Sequence, residues 1–287
     1  MPQWEFPGSD PIDVFTDLAS GRVALDAGPV TATGVTVVPS RFSRNAEKLI
    51  SEVRVTFDNG RLEVVGPKRA GLFRGSASFD VTITLPEGSR GMLRTASADI
   101  ICTGDLADLE VQTASGDITA ASITGHLQAE TSSGDVRLDE TGPAEIRSAS
   151  GDVRLTRARD DVSVRTASGD VNIASAPASV TVSTASGDVR LASVARGSTQ
   201  VNTASGDVVI GVAAGVGVYL DLSSATGTVK SQLDEDEPSG DVPLEVRCRT
   251  ASGDIRITRA TVAEPAPPGD PAPPAELPPA SEPTPAE

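Results

Sequence analysis

Aspartates at a nearly constant spacing are the residues of this chain with the clearest potential for chemistry. Carboxylate oxygens are ligands that Ca²⁺ prefers, and the calcium-binding nonapeptide repeat also completes a turn in about 18 residues. That repeat supplies ligands from both half-turns, whereas each unit here carries one Asp and usually one Gly. The pattern therefore favours a structural column over a calcium column, and we predict no metal site. The aspartates of this column are Asp117, Asp135, Asp152, Asp170, Asp188 and Asp207.

Stacked carboxylates repel one another, so the column needs compensation. Unit charges about 4.8 Å apart repel by roughly 1 kcal/mol in water. Hydrogen bonds from turn N–H groups to the carboxylates are one means of offsetting this repulsion, and bound Ca²⁺ is another. A third is opposite charge on the same outward face, from arginines two residues after an aspartate. These arginines are Arg137, Arg154, Arg190 and Arg256.

Side chains typical of catalytic centres do not cluster in this sequence. His126 is the single histidine, and its polar position without a neighbouring partner predicts a surface residue. The chain contains no GxSxG, Walker, HExxH or GxGxxG-plus-helix motif. The aspartate column is also uniform, whereas a glycan-acting β-helix concentrates its polar residues on one or two rungs. We therefore predict no catalytic residues, no cofactor and no enzymatic activity.

The elements that position the aspartates belong to an internal repeat centred on Thr-Ala-Ser-Gly-Asp. Alternating apolar residues on both sides of this motif predict strand, tight turn, strand and looser turn. Stacking such units buries apolar faces that one unit alone leaves exposed. Residues 91–260 are thus predicted to form an all-β solenoid of about nine 18-residue rungs, with a β-sandwich as the alternative. The turn glycines, which allow the positive φ of a tight turn, are Gly116, Gly134, Gly151, Gly169, Gly187, Gly206 and Gly253.

The segments on either side of the repeat have a different composition. Residues 1–90 are β-rich, with Asn59-Gly60 as a hairpin signal, and are predicted to cap the N-terminal end of the stack. Asp234–Glu237 is predicted to be an exposed acidic loop. Residues 261–287, rich in Pro, Ala and Glu, are predicted to form a disordered acidic tail.

Composition limits the partners and the compartment. A net charge of −16 repels phosphate backbones, which argues against nucleic acid and favours a protein partner or a cationic peptide. Neither a signal peptide nor an 18-residue apolar run is visible. We therefore expect a cytoplasmic protein without direct membrane insertion, for which association with the cell envelope stays open. Aromatic residues are only 3 % of the chain, so Val, Ala, Ile and Leu must fill a thin core.

Two cysteines fall at inward positions of the repeat, Cys102 in the first rung and Cys248 in the last. The rung spacing puts them about 35 Å apart. A disulfide tolerates Cα separations below roughly 7 Å. Both are therefore predicted to be buried thiols that do not bridge.

The repeat and the start of the chain resemble a known bacterial family. The runs at 113–118, 166–171 and 184–189, together with Ser20-Gly21-Arg22 and the stretch 81–89, are similar to the "putative adhesin" family of unknown function. The resemblance spans about residues 10–260. It implies a right-handed β-solenoid, often encoded near cell-envelope stress functions, and it offers no catalytic residues.

These observations favour a non-catalytic structural or binding module. In the leading hypothesis the faces of the rod hold a protein partner, as a scaffold does. A filament-type scaffold is an alternative, because rods of identical rungs can add end to end and self-associate. A surface adhesin stabilised by calcium is a further alternative.

Overall fold

A computed structural model describes residues 3–40, 50–67, 78–233 and 244–260, which form 23 strands in one hydrogen-bonded sheet. The sheet winds through stacked parallel rungs, so the predicted all-β solenoid is confirmed. The strands of the N-terminal region are β1 (Gln3–Pro7), β2 (Asp13–Gly28), β3 (Ala32–Pro39), β4 (Arg54–Asp58), β5 (Arg61–Val65), β6 (Phe79–Pro86) and β7 (Arg90–Leu106). The strands that follow are β8 (Leu109–Thr113), β9 (Ile118–Ile123), β10 (Leu127–Thr131), β11 (Val136–Thr141), β12 (Ala144–Ser148), β13 (Val153–Ala158), β14 (Val162–Ser168), β15 (Val171–Ser175), β16 (Val180–Ser186), β17 (Val189–Val194), β18 (Ser198–Ser205), β19 (Val208–Val212), β20 (Val218–Ser224), β21 (Val229–Ser231), β22 (Leu244–Ser252) and β23 (Ile255–Arg259).

The rungs from β8 to β19 stack in chain order. The first strand of each rung pairs in parallel with the first strands on either side, as β10 does with β8 and β12. Second strands do the same, as β11 does with β9 and β13. The pairing joins residues one repeat apart, for example Val164 and Val182. Each unit therefore adds an equivalent layer to the same core.

Small aliphatic side chains fill this core, in agreement with the low aromatic content. Val111, Ile118 and Val164 occupy inward positions and are fully buried. Among the described residues, Phe79 is the one aromatic side chain in the buried set. Because β-branched residues of similar size recur in register, neighbouring layers fit without large side chains.

At the N-terminal end, the parallel stack begins before the predicted boundary at residue 90. β2 is a complete rung that pairs in parallel with β7 along Asp13–Asp26, and Gly21 takes the turn position in register with Ala98. β5 and β6 lie in parallel on the other side of β2. Residues 1–90 therefore contain a rung as well as a cap.

The cap at this end consists of antiparallel strands. β3 pairs with β6, β1 with β3, and β4 with β5, all antiparallel. Phe6 and Phe57 stack there with their ring centroids 4.9 Å apart. Because these strands run against the rungs, they end the parallel stack and cover its core with aromatic rings.

At the C-terminal end, the spatial order of the rungs departs from the chain order. The rung of β22 and β23 lies between the rung of β18 and β19 and the rung of β20 and β21. The expectation that Cys248 lies in the last rung is therefore wrong, because residues 218–231 form the outer rung. This outer rung has Ser231 at an inward position and Thr228 in place of Asp. A rung with a neighbour on one side only tolerates both departures.

Both cysteines are free and buried. Cys102 lies in β7, which is the second rung because β2 precedes it, so its expected place in the first rung is also wrong. Cys248 lies in β22, one rung inside the C-terminal end. Burial raises the pKa of each thiol to about 12, and the charge of Asp26 adds to this effect at Cys102. Both therefore stay protonated at neutral pH and act as small core side chains.

Two predicted features lie outside the described residues, namely the acidic loop Asp234–Glu237 and the tail 261–287. In the described part of the chain, no helix has the length and apolarity needed to cross a bilayer. The structure therefore describes the rungs and the cap, whereas the exposed loop and the disordered tail remain predictions from composition.

Candidate functional site

The predicted aspartates form one hydrogen-bonded ladder along the turns. Oδ1 of each aspartate accepts the backbone N–H of the aspartate in the next rung, as Asp152 does from Asp170 at 3.0 Å. The ladder starts at Asp99 and ends where Asp254 accepts the N–H of Thr228 at 2.8 Å. A carboxylate that accepts backbone N–H bonds is stabilised in its charged form. The aspartates in between are Asp117, Asp135, Asp170, Asp188 and Asp207.

Arginines supply opposite charge to part of this ladder. Arg137 lies 2.7 Å from Asp135 and 3.4 Å from Asp117, and Arg154 lies 3.1 Å from Asp152. These pairs are substantially exposed, so each contributes little to the free energy of folding. Within the described residues, the other two predicted arginines, Arg190 and Arg256, form no such pair. Hydrogen bonds from backbone N–H groups are therefore the feature that offsets carboxylate repulsion at every rung of the ladder.

Turn glycines are required by the close approach of neighbouring turns. A Cβ atom added at Gly134 would lie 1.9 Å from the carbonyl oxygen of Gly116, with no room to shift because both groups are backbone. The distance stays between 1.9 and 2.4 Å throughout the predicted set. That set is Gly116, Gly134, Gly151, Gly169, Gly187, Gly206 and Gly253.

Two forms of this turn occur along the rod. In the N-terminal half, the glycine N–H donates to the hydroxyl three residues earlier, as Gly134 does to Thr131 Oγ1 at 3.0 Å. In the C-terminal half, the glycines have φ between +140° and +155°, and Gly187 N–H donates to Ser205 O of the next rung at 3.1 Å. The expected positive φ therefore occurs in the second form alone. Close approach explains glycine in both forms.

The ladder does not assemble a multidentate metal site. Each rung contributes one carboxylate, and one oxygen of it already accepts an N–H bond. Among the described residues, no three His, Cys, Asp or Glu side chains come together as metal ligands. Calcium binding by the column stays the disfavoured alternative from the sequence, and the geometry supports a structural role for the aspartates.

A groove of about 490 Å³ lies on the outer face of the first strands, near the N-terminal end. Phe15 of β2 and Met92 of β7 stand side by side in it, in register on adjacent rungs. They are the two apolar residues of an outward column whose other members are all polar. Those members are Glu63, Glu110, Gln128, Glu145, Ser163, Thr181, Gln200, Arg247 and Asp221.

Two guanidinium groups flank the ring of Phe15. The Cζ atoms of Arg61 and Arg94 each lie 5.9 Å from the ring centroid, within the range of a cation–π contact. These contacts restrain the ring, while the side chain of Met92 beside it is 36 % exposed. The pair thus offers an apolar surface with one restrained and one adaptable member.

Charged residues line the groove around this apolar pair. Arg90 lies 3.0 Å from Asp108, which also accepts the backbone N–H of His126 at 2.8 Å. Asp13 and Glu110 also line the groove, and within the described part of the chain neither forms an ion pair. The groove therefore combines an apolar platform with two further carboxylates, of which Asp13 lies in register between Arg61 and Arg90 and Glu110 lies in register with Met92.

Sequence reasoning missed this groove and placed His126 on the surface without a role. The structure places His126 at the surface and in the groove lining. Phe15 and Met92 are 77 positions apart, and their pairing depends on β2 being a rung. Alignment of Ser20-Gly21-Arg22 with the turn motif is the signal that would have revealed it.

Comparison with known proteins assigns the family. The chain matches Toastrack DUF4097 over residues 41–258, which is most of its length. The chain belongs to the Toastrack DUF4097 family. This assignment agrees with the resemblance noted from the repeat, and the match to Toastrack DUF4097 covers every consensus rung. No curated protein matches the chain.

Solved bacterial structures are similar in fold to this Toastrack DUF4097 chain. A putative adhesin from Bacteroides fragilis shares 12 % identity, with 89 % of this chain and 96 % of that chain covered and a TM-score of 0.44. A putative lipid binding protein from Parabacteroides distasonis shares 16 % identity, with 90 % and 96 % covered and a TM-score of 0.47. Likeness at this level does not identify a ligand.

Proposed function

We infer that this protein is a non-catalytic binding rod whose groove holds an extended segment of a protein partner. The segment that fits carries an apolar side chain for the platform of Phe15 and Met92 and a basic side chain for the adjoining carboxylates. One observation carries the proposal: these two residues are the apolar interruption in an outward column that is otherwise polar along the whole rod.

The exposed apolar platform favours an apolar side chain of the partner, because binding would bury both surfaces. An aromatic ring and a thioether on a rigid sheet form an anchor of the kind that dominates protein interfaces. The rungs beneath them are fully paired, so the surface is already formed before a partner binds.

Charge favours a basic residue in the same segment. Glu110 lies in register with Met92 on the next rung, and Asp13 lies two residues before Phe15 in β2. Neither forms an ion pair within the described residues. The whole chain carries a net charge of −16, which accelerates encounter with a cationic partner. The antiparallel cap also supports binding over filament growth, because it offers no parallel edge to another copy.

Selection of peptides tests this proposal directly. A random peptide library is panned against the protein, and the enriched peptides are measured by calorimetry on the wild type and two variants. Met92→Glu introduces a negative charge into the platform, and we expect it to weaken binding at least about tenfold. Gln200→Glu is the matched control, since it adds the same charge to the same column in a regular rung.

The sequences and affinities of the selected peptides decide the outcome. Enrichment of an apolar residue beside Lys or Arg, with binding lost in Met92→Glu and kept in Gln200→Glu, supports the proposal. Equal affinity for all three proteins, or enrichment without basic residues, contradicts it.

A further inference from the structure

The outer rung, residues 218–231, is less buried than the rungs beneath it. Among the described residues, its strands β20 and β21 pair with β22 and β23 on one side only. None of its residues is buried, and Tyr219 and Val229 are 61 % and 42 % exposed. In the rung beneath, Val246, Cys248 and Ile257 are fully buried.

Polar contacts to the rung beneath hold the outer rung mainly through its backbone. The N–H groups of Ala225 and Thr226 donate to Thr250 O and Ala251 O at 3.2 Å, and Arg249 lies 3.6 Å from Asp221. The Ser224 hydroxyl donates to Gly253 O at 3.0 Å, and the Thr226 hydroxyl donates to Ala251 O at 3.1 Å. β21 is three residues long, against five in β23. At the inward position, Ser231 replaces the apolar residue of other units, so this strand lacks the side chain that would anchor it.

The rung beneath the outer rung presents a complete consensus edge. It carries the motif Thr250–Asp254, and the Asp254 carboxylate accepts a backbone N–H from whatever strand lies next to it. In the outer rung that N–H belongs to Thr228. Thr228 has no carboxylate of its own, so the ladder stops there.

The segment that leads into the outer rung is longer than the connections between inner rungs. Residues 213–217 join β19 to β20, whereas consecutive inner rungs are joined by about three residues, such as 124–126 between β9 and β10. Arg259 donates to Ala213 O at 3.3 Å and to Val216 O at 3.0 Å, so this segment stays on the rod while the outer rung is the part free to separate.

We propose that the outer rung detaches as a unit while the remaining rungs stay paired, so that the C-terminal end alternates between a closed state and an open consensus edge. This device is independent of the groove at the other end of the rod. In the open state, Cys248 loses the Leu222 layer that covers it and meets solvent. Local opening of a weakly packed segment requires less free energy than global unfolding.

The two cysteines provide a built-in reporter of this motion. The thiolate is the form that reacts with alkylating reagents. Burial suppresses that form in both thiols, so labelling reports opening. Under native conditions, iodoacetamide labelling followed by peptide mass spectrometry is expected to modify Cys248 at least about tenfold faster than Cys102. Equal rates with the same dependence on denaturant would overturn the proposal.

Three variants separate detachment of the rung from loss of global stability. Leu222→Ala removes a contact of the outer rung and is expected to accelerate labelling of Cys248 alone. Val164→Ala is the matched control in a central rung, and it should leave the ratio of the two rates unchanged. Ser231→Ile restores the consensus residue and is expected to slow labelling of Cys248. If Ser231→Ile leaves that rate unchanged, the outer rung does not gate Cys248 and the proposal fails.

Discussion

The central rungs and the two ends of the rod follow different rules of assembly. Between β8 and β19, each rung stacks on the one before it in the chain. At both ends the spatial order of the strands departs from their order in the chain. β6 lies between β2 and β3, and β22 lies between β18 and β20. Degenerate units thereby lie outside and consensus units inside.

This difference between the central rungs and the ends indicates the role of the Gly-Asp consensus. A central rung must present a hydrogen-bond donor to one neighbour and an acceptor to the other, and Gly-Asp supplies both. Among the described residues, the outer rung at the C-terminal end has one neighbour only, and Thr228 takes the position of Asp there. Divergence at this position therefore does not interrupt the ladder. At the other end, Arg22 takes the position of Asp although β6 and β7 lie on the two sides of β2, and the ladder begins one rung further in, at Asp99.

Substitution of a turn glycine in a central rung is expected to have the largest effect on the free energy of unfolding. Gly134→Ala places a methyl group against the Gly116 carbonyl oxygen, and we expect a loss of about 3 kcal/mol in the free energy of unfolding. Gly28→Ala, at the end of β2 where a Cβ meets nothing within 4 Å, should change it by less than about 0.5 kcal/mol. Urea unfolding followed by circular dichroism measures both. Similar losses at the two sites would show that close approach is not the cause.

A smaller effect is expected from interrupting the aspartate ladder. Asp152→Ala leaves the Asp170 N–H without its acceptor in a central rung and should cost about 1–2 kcal/mol. Asp254→Ala affects the outer rung alone and should cost less than half as much. Asp152→Asn keeps an acceptor oxygen and serves as the control in thermal unfolding. If Asp152→Asn is as harmful as Asp152→Ala, the charge and not the hydrogen bond is what the ladder needs.

The smallest effect concerns pH and a pair that joins two central rungs. The hydrogen bond from Arg159 lowers the pKa of the Glu140 carboxyl below its ordinary value of 4.5. A lowered pKa means that this pair stabilises the fold above pH 4.5 and that the contribution is lost as pH falls through the lower value. Carbon-detected NMR titration should show a low pKa for Glu140 that returns towards 4.5 in Arg159→Gln. An unchanged titration in that variant would assign the shift to another cause.

The repeat allowed the central rungs to be predicted in register, because Val164 and Val182 occupy equivalent places in adjacent motifs. It did not allow the order at the C-terminal end to be predicted. Residues 218–231 and 244–259 both contain recognisable units, and which of them lies outside depends on competition for one edge. Ser231 and Thr228 mark the outer unit as degenerate, but the sequence repeat alone does not say which of the two units pairs with β18 and β19.

The groove could not be predicted for a related reason. Its platform joins Phe15 of β2 to Met92 of β7. The two residues are neighbours in space, although the strands of the cap lie between them in the sequence. The motif around Gly21 lacks Asp, so periodicity alone did not identify β2 as a rung. The sequence predicted turn glycines because of their positive φ, and four of the seven predicted glycines have it, whereas Gly134 does not. At every turn, the close approach of successive backbones explains why glycine is required.

The ladder of N–H donors and carboxylate acceptors has a consequence for the length of the molecule. Successive turn glycines in the central region are 17 to 19 residues apart, yet every carboxylate still meets the next N–H. Insertion or deletion of a whole unit leaves each remaining turn with the same partners. The length of this rod is therefore quantised, in steps of about 4.8 Å. Duplication or loss of a repeat unit in the gene would therefore change the distance between the two ends of the rod by whole steps.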